Sequence, residues 1–315
     1  MKKYLIPFAF LLGAIVTLSV LLYPIIADYI NSGRQTRVVA HYVEAVAAMD
    51  DGSKRELLEA ARKYNRDLLL RGDRFEPSEA DTAEYLAMLN TGLDVIGILA
   101  IEKIDVSLPI YHGTDEGVLQ VGIGHLEGTS LPVGGLGSHS FITGHRGLPS
   151  SKLLTNLDKM DNGDTFSLYI LGETLTYQVD DIQVVEPDAL GVFAIDAGMD
   201  YCTLVTCTPY GVNTHRLLVR GHRVENNASA WHEINFADAT RVDKVIIVLL
   251  FMTPLLPVFI LYTIVQCVKI HTRGKMIHEA NPVRSFRHGL YPGTGHRRVK
   301  RGGFRALRPD GHDET

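Results

Sequence analysis

Cys207 closes a run of strand-forming residues, YCTLVTC at 201–207, and nine positions later Arg216 opens another, RLLVR. Between them lies TPYGVNTH, in which Pro209, Gly211 and Asn213 are turn formers. If the two runs pair as antiparallel strands, the turn returns Arg216 close to Cys207. A free thiol, with a pKa of about 8.5, becomes a useful nucleophile when that pKa falls or when a base stands beside it. Arginine cannot accept a proton. It can stabilise a thiolate, or the oxyanion formed when a thiolate attacks a carbonyl. The acid or base must then be a histidine.

Among 13 histidines, His145 stands out by context. It follows the strand-like SHSFIT and sits within Gly144-His145-Arg146-Gly147, which reads as an exposed barrel rim. His215, on the turn beside Arg216, and His222, beyond the strand, are its rivals, and His125 in VGIGHLEGTSLP is another loop histidine. Arg220 and Arg223 read as solvated cations on an outer face. The chain has three cysteines, Cys202, Cys207 and Cys267, too few and too irregular for a disulfide framework or a zinc site. Cys202 and Cys207, five apart in one strand, point to opposite faces. Cys202 therefore reads as core and Cys267 as part of an apolar run.

These groups need a scaffold. From about Ile96 the chain becomes a series of short strands separated by Gly, Asp, Asn and Pro: GILAIEKI, VSLPIYHG, SHSFITGH, DTFSLYIL, LTYQVDDIQVVE, YCTLVTC and HRLLVRGHR. Seven or eight strands over about 130 residues, with few helices between them, argue for a closed or nearly closed β-barrel. SKLLTNLDKM reads as a short amphipathic helix capped by Ser150 or Ser151. Residues 35–71 have helical periodicity broken at Asp51-Gly52, which suggests two helices packed on the domain. Residues 72–94 begin as an acidic loop.

The formal net charge of −5 is unevenly spread. Residues 269–315 carry about +7 and Lys2 and Lys3 add +2, leaving −14 for residues 4–268. An acidic middle with basic ends does not suit a nucleic-acid binder. Residues 4–26 are uncharged and long enough to cross a bilayer, longer than the apolar region of a secretory signal. Residues 245–268 form a second uncharged run, with Pro254 and Pro257 expected to kink it. The basic tail at 269–315 and Lys2 and Lys3 place both ends on the cytoplasmic side. Residues 30–240 would then lie outside the cell membrane, with 226–244 as a linker and the tail without a packed core.

TLVTC followed nine residues later by Arg216, with GHR some sixty residues upstream, resembles the sortases of Gram-positive bacteria. The resemblance covers roughly residues 96–224. PIYHGTDEGVLQVGIGHLEGTSLPVGG, GHRGLP and LVTCTPYGVNTHRLLVRGHR look like the class C branch, which builds pili. It implies a mainly β fold: an eight-stranded sortase-type barrel at 95–225, with N-terminal helices and a lid at 30–94, flanked by two transmembrane helices. It also implies Cys207 as nucleophile, His145 as general acid and base, and Arg216 as oxyanion stabiliser, with Thr203 and Thr206 shaping the substrate groove. The implied donor is a pilin or surface protein with an L-P-x-T-G-like signal. The implied acceptor is a pilin lysine or a peptidoglycan amine, with membrane lipid as the setting and no metal or organic cofactor required. Class C sortases often carry an Asp-Pro-aromatic lid motif. Here GDRFEP supplies Asp73 and Phe75, but Arg74 stands in place of the proline. On the resemblance, Asp73 would pair with Arg216 and Phe75 would cover Cys207. A wall-anchored adhesin is disfavoured because FADATRVDK, before the second apolar run, contains no sorting signal. A papain-like hydrolase is disfavoured because a strand, not a helix, meets Cys207.

Overall fold

The computed structural model describes residues 2–189, 193–226, 259–260 and 262–269. Eight strands close into a barrel in the order β1-β2-β3-β4-β7-β8-β6-β5. They are β1 (Val95–Ile101), β2 (Val106–His112), β3 (Ile123–His125), β4 (Ser138–Thr143), β5 (Thr165–Ile170), β6 (Glu173–Val185), β7 (Asp200–Thr208) and β8 (His215–Val224). The β2–β3 and β4–β7 pairs are parallel and the remaining pairs antiparallel. β1 is buried along its whole length because the barrel lies on one face and helices on the other. The interior is filled by apolar side chains including Leu99, Phe166, Leu168, Leu204 and Val219.

Three helices precede the barrel. α1 (Lys2–Ala48) runs uninterrupted through what the sequence divides into a membrane segment and a separate helix. The polar residues at the expected boundary do not break it. Asn31, for one, uses its side chain to donate to the Ser150 carbonyl at 2.8 Å. Asp50 caps α2 (Asp51–Leu69) by accepting from the Ser53 amide, so the break falls just before Asp51-Gly52. Leu58, Ala61, Tyr64, Asn65 and Leu68 form the buried stripe of α2. Asn65 bonds both the amide and the carbonyl of Leu131, which fastens the helix to the barrel. α3 (Glu79–Ala87) begins with a Ser78–Asp81 capping box.

Two local expectations are revised. SKLLTNLDKM is not an α-helix. Leu153 takes a positive φ of 38°, and only residues 157–159 form a 3₁₀ turn. Its leucines 153, 154 and 157 serve as core plugs instead. Arg220 and Arg223 are on an outer face but only partly solvated, because each is also held by neighbours. Arg220 donates to Asp180 at 2.9 Å and lies 4.5 Å over the Tyr201 ring, and Arg223 binds the Thr176 carbonyl.

Of the two expected spans, one has a candidate helix among the described residues. The stretch Ile15–Ala48 of α1 is long and apolar enough to cross a membrane. In a second compact unit, Pro254–Thr315, residues 259–260 and 262–269 are helical. Most of the 245–268 run, the linker and the basic tail lie outside the described residues.

Candidate active site

Strand parity decides which side chains share the site. On β7, Cys202, Leu204 and Thr206 point into the barrel, leaving Thr203, Val205 and Cys207 on the outer face. On β8 the partners of those outward residues are Arg220, Leu218 and Arg216. Cys207 and Arg216 are thus directly opposed across an antiparallel pair, with Cα atoms about 4.5–5.5 Å apart in such pairings. The reversal between them is held by the Val212 and Asn213 amides, both donating to the Pro209 carbonyl, and by Gly211 and Asn213 at positive φ. The Arg216 guanidinium donates to the carbonyls of Asn213 and His215 at 3.4 and 3.2 Å.

His145 reaches the same place from β4. The Gly144 amide donates to the Val205 carbonyl, extending the β4–β7 pairing past the end of β4. Thr206 Oγ1 donates to the Gly144 carbonyl at 2.8 Å from inside the barrel. A Cβ on Gly144 would lie 2.7 Å from Ile123 and 3.0 Å from Leu154, so a larger residue immediately before the histidine would have to displace these buried side chains. Cys207, His145 and Arg216 line one cavity of about 350 Å³, together with Thr206, Val205 and Thr143. His145 Nε2 makes no hydrogen bond within the described residues. Glu116 Oε2 on α4 (Glu116–Val121) lies 3.6 Å from it. Glu186 also lines the cavity and pairs with His215 at 3.2 Å.

Arg146 is a contributor the sequence reading passed over. Its guanidinium is 2.6 Å from Asp158, donates to Thr208 Oγ1 and faces the Tyr210 ring. It therefore braces the His145 loop against the end of the Cys207 strand. Its place beside His145 in the GHR motif was the signal available.

Three other histidines, His125, His139 and His222, have structural partners. His125 is fully buried in β3, where Tyr85 donates to Nδ1 and Nε2 donates to the Ser130 carbonyl. His139 is buried between the Ala194 carbonyl and Thr203 Oγ1. Burial pushes both imidazoles down to about 4. His222 lies within β8 beside Asp180. Thr203 is outward but sealed beneath His139, and it does not line the cavity.

The roof of the cavity comes from the β6–β7 connection. Phe193 stacks edge-on against Phe141, 4.7 Å between centroids, and both line the cavity. Phe75 packs on Phe193 at 5.2 Å, while Arg74 donates to the Phe193 carbonyl at 2.6 Å and caps the Phe75 ring. The 72–77 segment thus rests on the roof. Arg74 makes the polar attachment, and the Asp73 side chain has no hydrogen bond or ion pair within the described residues.

An outward cysteine, a facing arginine and a rim histidine on a closed barrel define a class of thiol enzyme that works by acyl transfer. The family model for the sortase domain matches residues 99–224. Sortase C1 of Streptococcus agalactiae is 48% identical, with 61% of this chain and all of that chain covered and a TM-score of 0.59. Sortase C of Streptococcus pneumoniae is 43% identical over 61% of this chain and 98% of its own, with a TM-score of 0.54. Among curated relatives, sortase D of Bacillus subtilis is 28% identical over 131 residues, which is 41% of this chain and 63% of that protein. The chain belongs to the sortase family, which comprises cysteine transpeptidases, and its structural neighbours include class C sortases.

Proposed function

We propose that this chain is a membrane-anchored pilus-assembly sortase. The observation that carries the reading is the direct cross-strand opposition of Cys207 and Arg216, with His145 lining the same cavity. In the proposed reaction, the Cys207 thiolate attacks the Thr carbonyl of an L-P-x-T-G-like signal in a pilin. Arg216 stabilises the oxyanion. His145 donates its proton to the departing Gly amine as the C–N bond breaks, leaving a Cys207 thioester. A lysine amine of the next pilin then attacks the thioester, His145 takes up its proton, and the new amide forms as the thiolate leaves. The pilin assignment is supported by likeness to the pneumococcal sortase C, a protein described in connection with pilin substrate specificity. In this reading α1 anchors the chain, the 245–268 run provides a second span, and the barrel lies outside the cell with both ends inside.

The test is incubation of the full chain in detergent with an L-P-x-T-G peptide and a lysine-bearing acceptor. A thioester on Cys207 by mass spectrometry, absent from Cys207→Ala, is the expected result. Absence of any acyl-enzyme with every such peptide overturns the reading. Pilin polymers as product support pilus assembly, and single peptidoglycan-linked proteins would assign the chain to wall anchoring instead.

A further inference from the structure

We propose that the mouth of the Cys207 cavity lies at the bilayer surface, with the His145 loop and the β7–β8 turn resting among the lipid headgroups. The proposal rests on the reading of α1 as a membrane anchor and adds a fixed orientation to it.

The first support is the continuity of α1. The apolar stretch and the part packed on the barrel are one helix, Lys2–Ala48. Exposed apolar side chains on it continue to Tyr29 and Ile30. The barrel grips the helix at that level. The Lys152 amide donates to Asp28 at 2.7 Å and the Lys152 ammonium pairs with the same carboxylate. Asn31 donates to the Ser150 carbonyl, and Gln35 reaches Ser151 and the Val121 carbonyl. At about 1.5 Å per residue, Asp28 is only about 3 Å along the axis beyond Ile26. With the apolar stretch filling the bilayer core, the 150–152 loop is at headgroup height.

That loop is also the site loop. His145 is five residues from Ser150, a chain reach of at most about 18 Å. The β7–β8 turn touches the same loop, because the Tyr210 ring packs against Gly147 and faces Arg146. The turn projects two strongly exposed side chains, Tyr210 at 60% and Val212 at 64%. α4, whose last carbonyl Gln35 binds, exposes Val121. A tyrosine and aliphatics next to exposed Lys152 and Arg34 have the composition of a membrane interface. The opposite end of the barrel is far from it. Tyr42, which accepts from the Leu171 amide, is about 21 Å further along α1 than Asp28.

The occupant is a bilayer rather than a second protein, because the helix that fixes the rim is the one that enters the membrane. An acyl donor bound to Cys207 then passes within about 20 Å of the headgroups, about six extended residues.

The experiment uses the full chain in liposomes with lipids brominated along the acyl chain, in a background where the single tryptophan, Trp231, is phenylalanine. Tryptophan is placed by Val212→Trp at the rim, Leu136→Trp at the opposite end, where Leu136 is 80% exposed, and Tyr23→Trp in the apolar stretch. The proposal expects brominated lipid to quench Tyr23→Trp and Val212→Trp by half or more and to leave Leu136→Trp unchanged. Quenching of Tyr23→Trp with Val212→Trp no more quenched than Leu136→Trp overturns the orientation while sparing the anchor. Failure to quench Tyr23→Trp removes the anchor, and the proposal with it.

Discussion

Cys202 and Cys207 stand five residues apart on one strand and have opposite chemistry. Cys202 points into the barrel, is fully buried, and has its thiol pushed well above the usual range by burial and by the nearby Asp200 carboxylate. Cys207 points outward, is partly exposed, and faces a guanidinium across the strand pair. The histidines divide in the same way. His125 and His139 have both ring nitrogens engaged, while His145, which lines the cavity, has an Nε2 without a hydrogen bond among the described residues and 3.6 Å from Glu116. Fold and function thus use the same residue types on the same strands, and what separates them is which face the backbone presents and whether a partner occupies the polar atoms.

The strongest attempt to break this contrast exchanges the two thiols' fates. Cys207→Ala is expected to lower transpeptidation by about 10⁴-fold or more, since loss of the proposed nucleophile would disable the whole unit. Cys202→Ser is expected to retain the rate but to lose about 1–3 kcal/mol in chemical denaturation, because it buries a hydroxyl beside Asp200. A Cys202→Ser enzyme that is stable but inactive would contradict the division. The same logic applies to the arginines. Arg216→Lys keeps charge but loses the planar fork, and a loss of about 10²–10³-fold in kcat is expected. Arg220→Lys, removed from the cavity and tied to Asp180, should leave kcat within about twofold.

The histidines supply a pH test. His125 and His139 titrate near 6.5 when unfolded and at about 4 when folded, so between those values the unfolded chain binds more protons. Stability is therefore fully present above about 6.5 and is lost as the pH falls towards 4. Each histidine contributes up to about 1.4 kcal/mol per pH unit in that window. Urea midpoints measured from pH 7 to 4 should fall steadily. His139→Gln should flatten the slope, and an unchanged slope in that variant would show that the buried imidazole is not its source.

Parity was legible in the sequence because alternation along a strand is local: YCTLVTC by itself places Cys202 and Cys207 on opposite faces. What depended on distant partners was not legible. β3 has only three residues, too few for an alternation, so His125 reads as a loop histidine until Tyr85, forty residues away, is seen bonded to it. Arg220 and Arg223 look solvated until β6 and β7 supply Asp180, Tyr201 and Tyr177. The uncharged run at 4–26 and the periodicity from residue 35 each signalled helix, but their union into one helix across 27–34 was not legible, and it is there that Asp28 and Asn31 meet the 150–152 loop.

The smallest expected effects lie at the cavity roof, where the contrast between occupied and free polar groups can be sharpened. The resemblance to class C lids would pair Asp73 with Arg216. The structure instead attaches the 72–77 segment through Arg74 and Phe75, both on Phe193. An aromatic contact of this kind is worth about 0.5–1.5 kcal/mol, so Phe75→Ala should open the roof and raise the rate of Cys207 alkylation about two- to tenfold. Gly128→Ala should act in the same direction. Gly128 has a φ of +83°, and an added Cβ would press on the Arg74 carbonyl and lie 2.8 Å from the Phe75 ring. Asp73→Ala should change nothing, since its side chain has no hydrogen bond or ion pair among the described residues. Iodoacetamide labelling of Cys207, with buried Cys202 as the internal unreactive control, distinguishes the two arrangements. Acceleration by Asp73→Ala and not by Phe75→Ala would mean that the segment is held by the acid after all, and that the roof is not where the lid is attached.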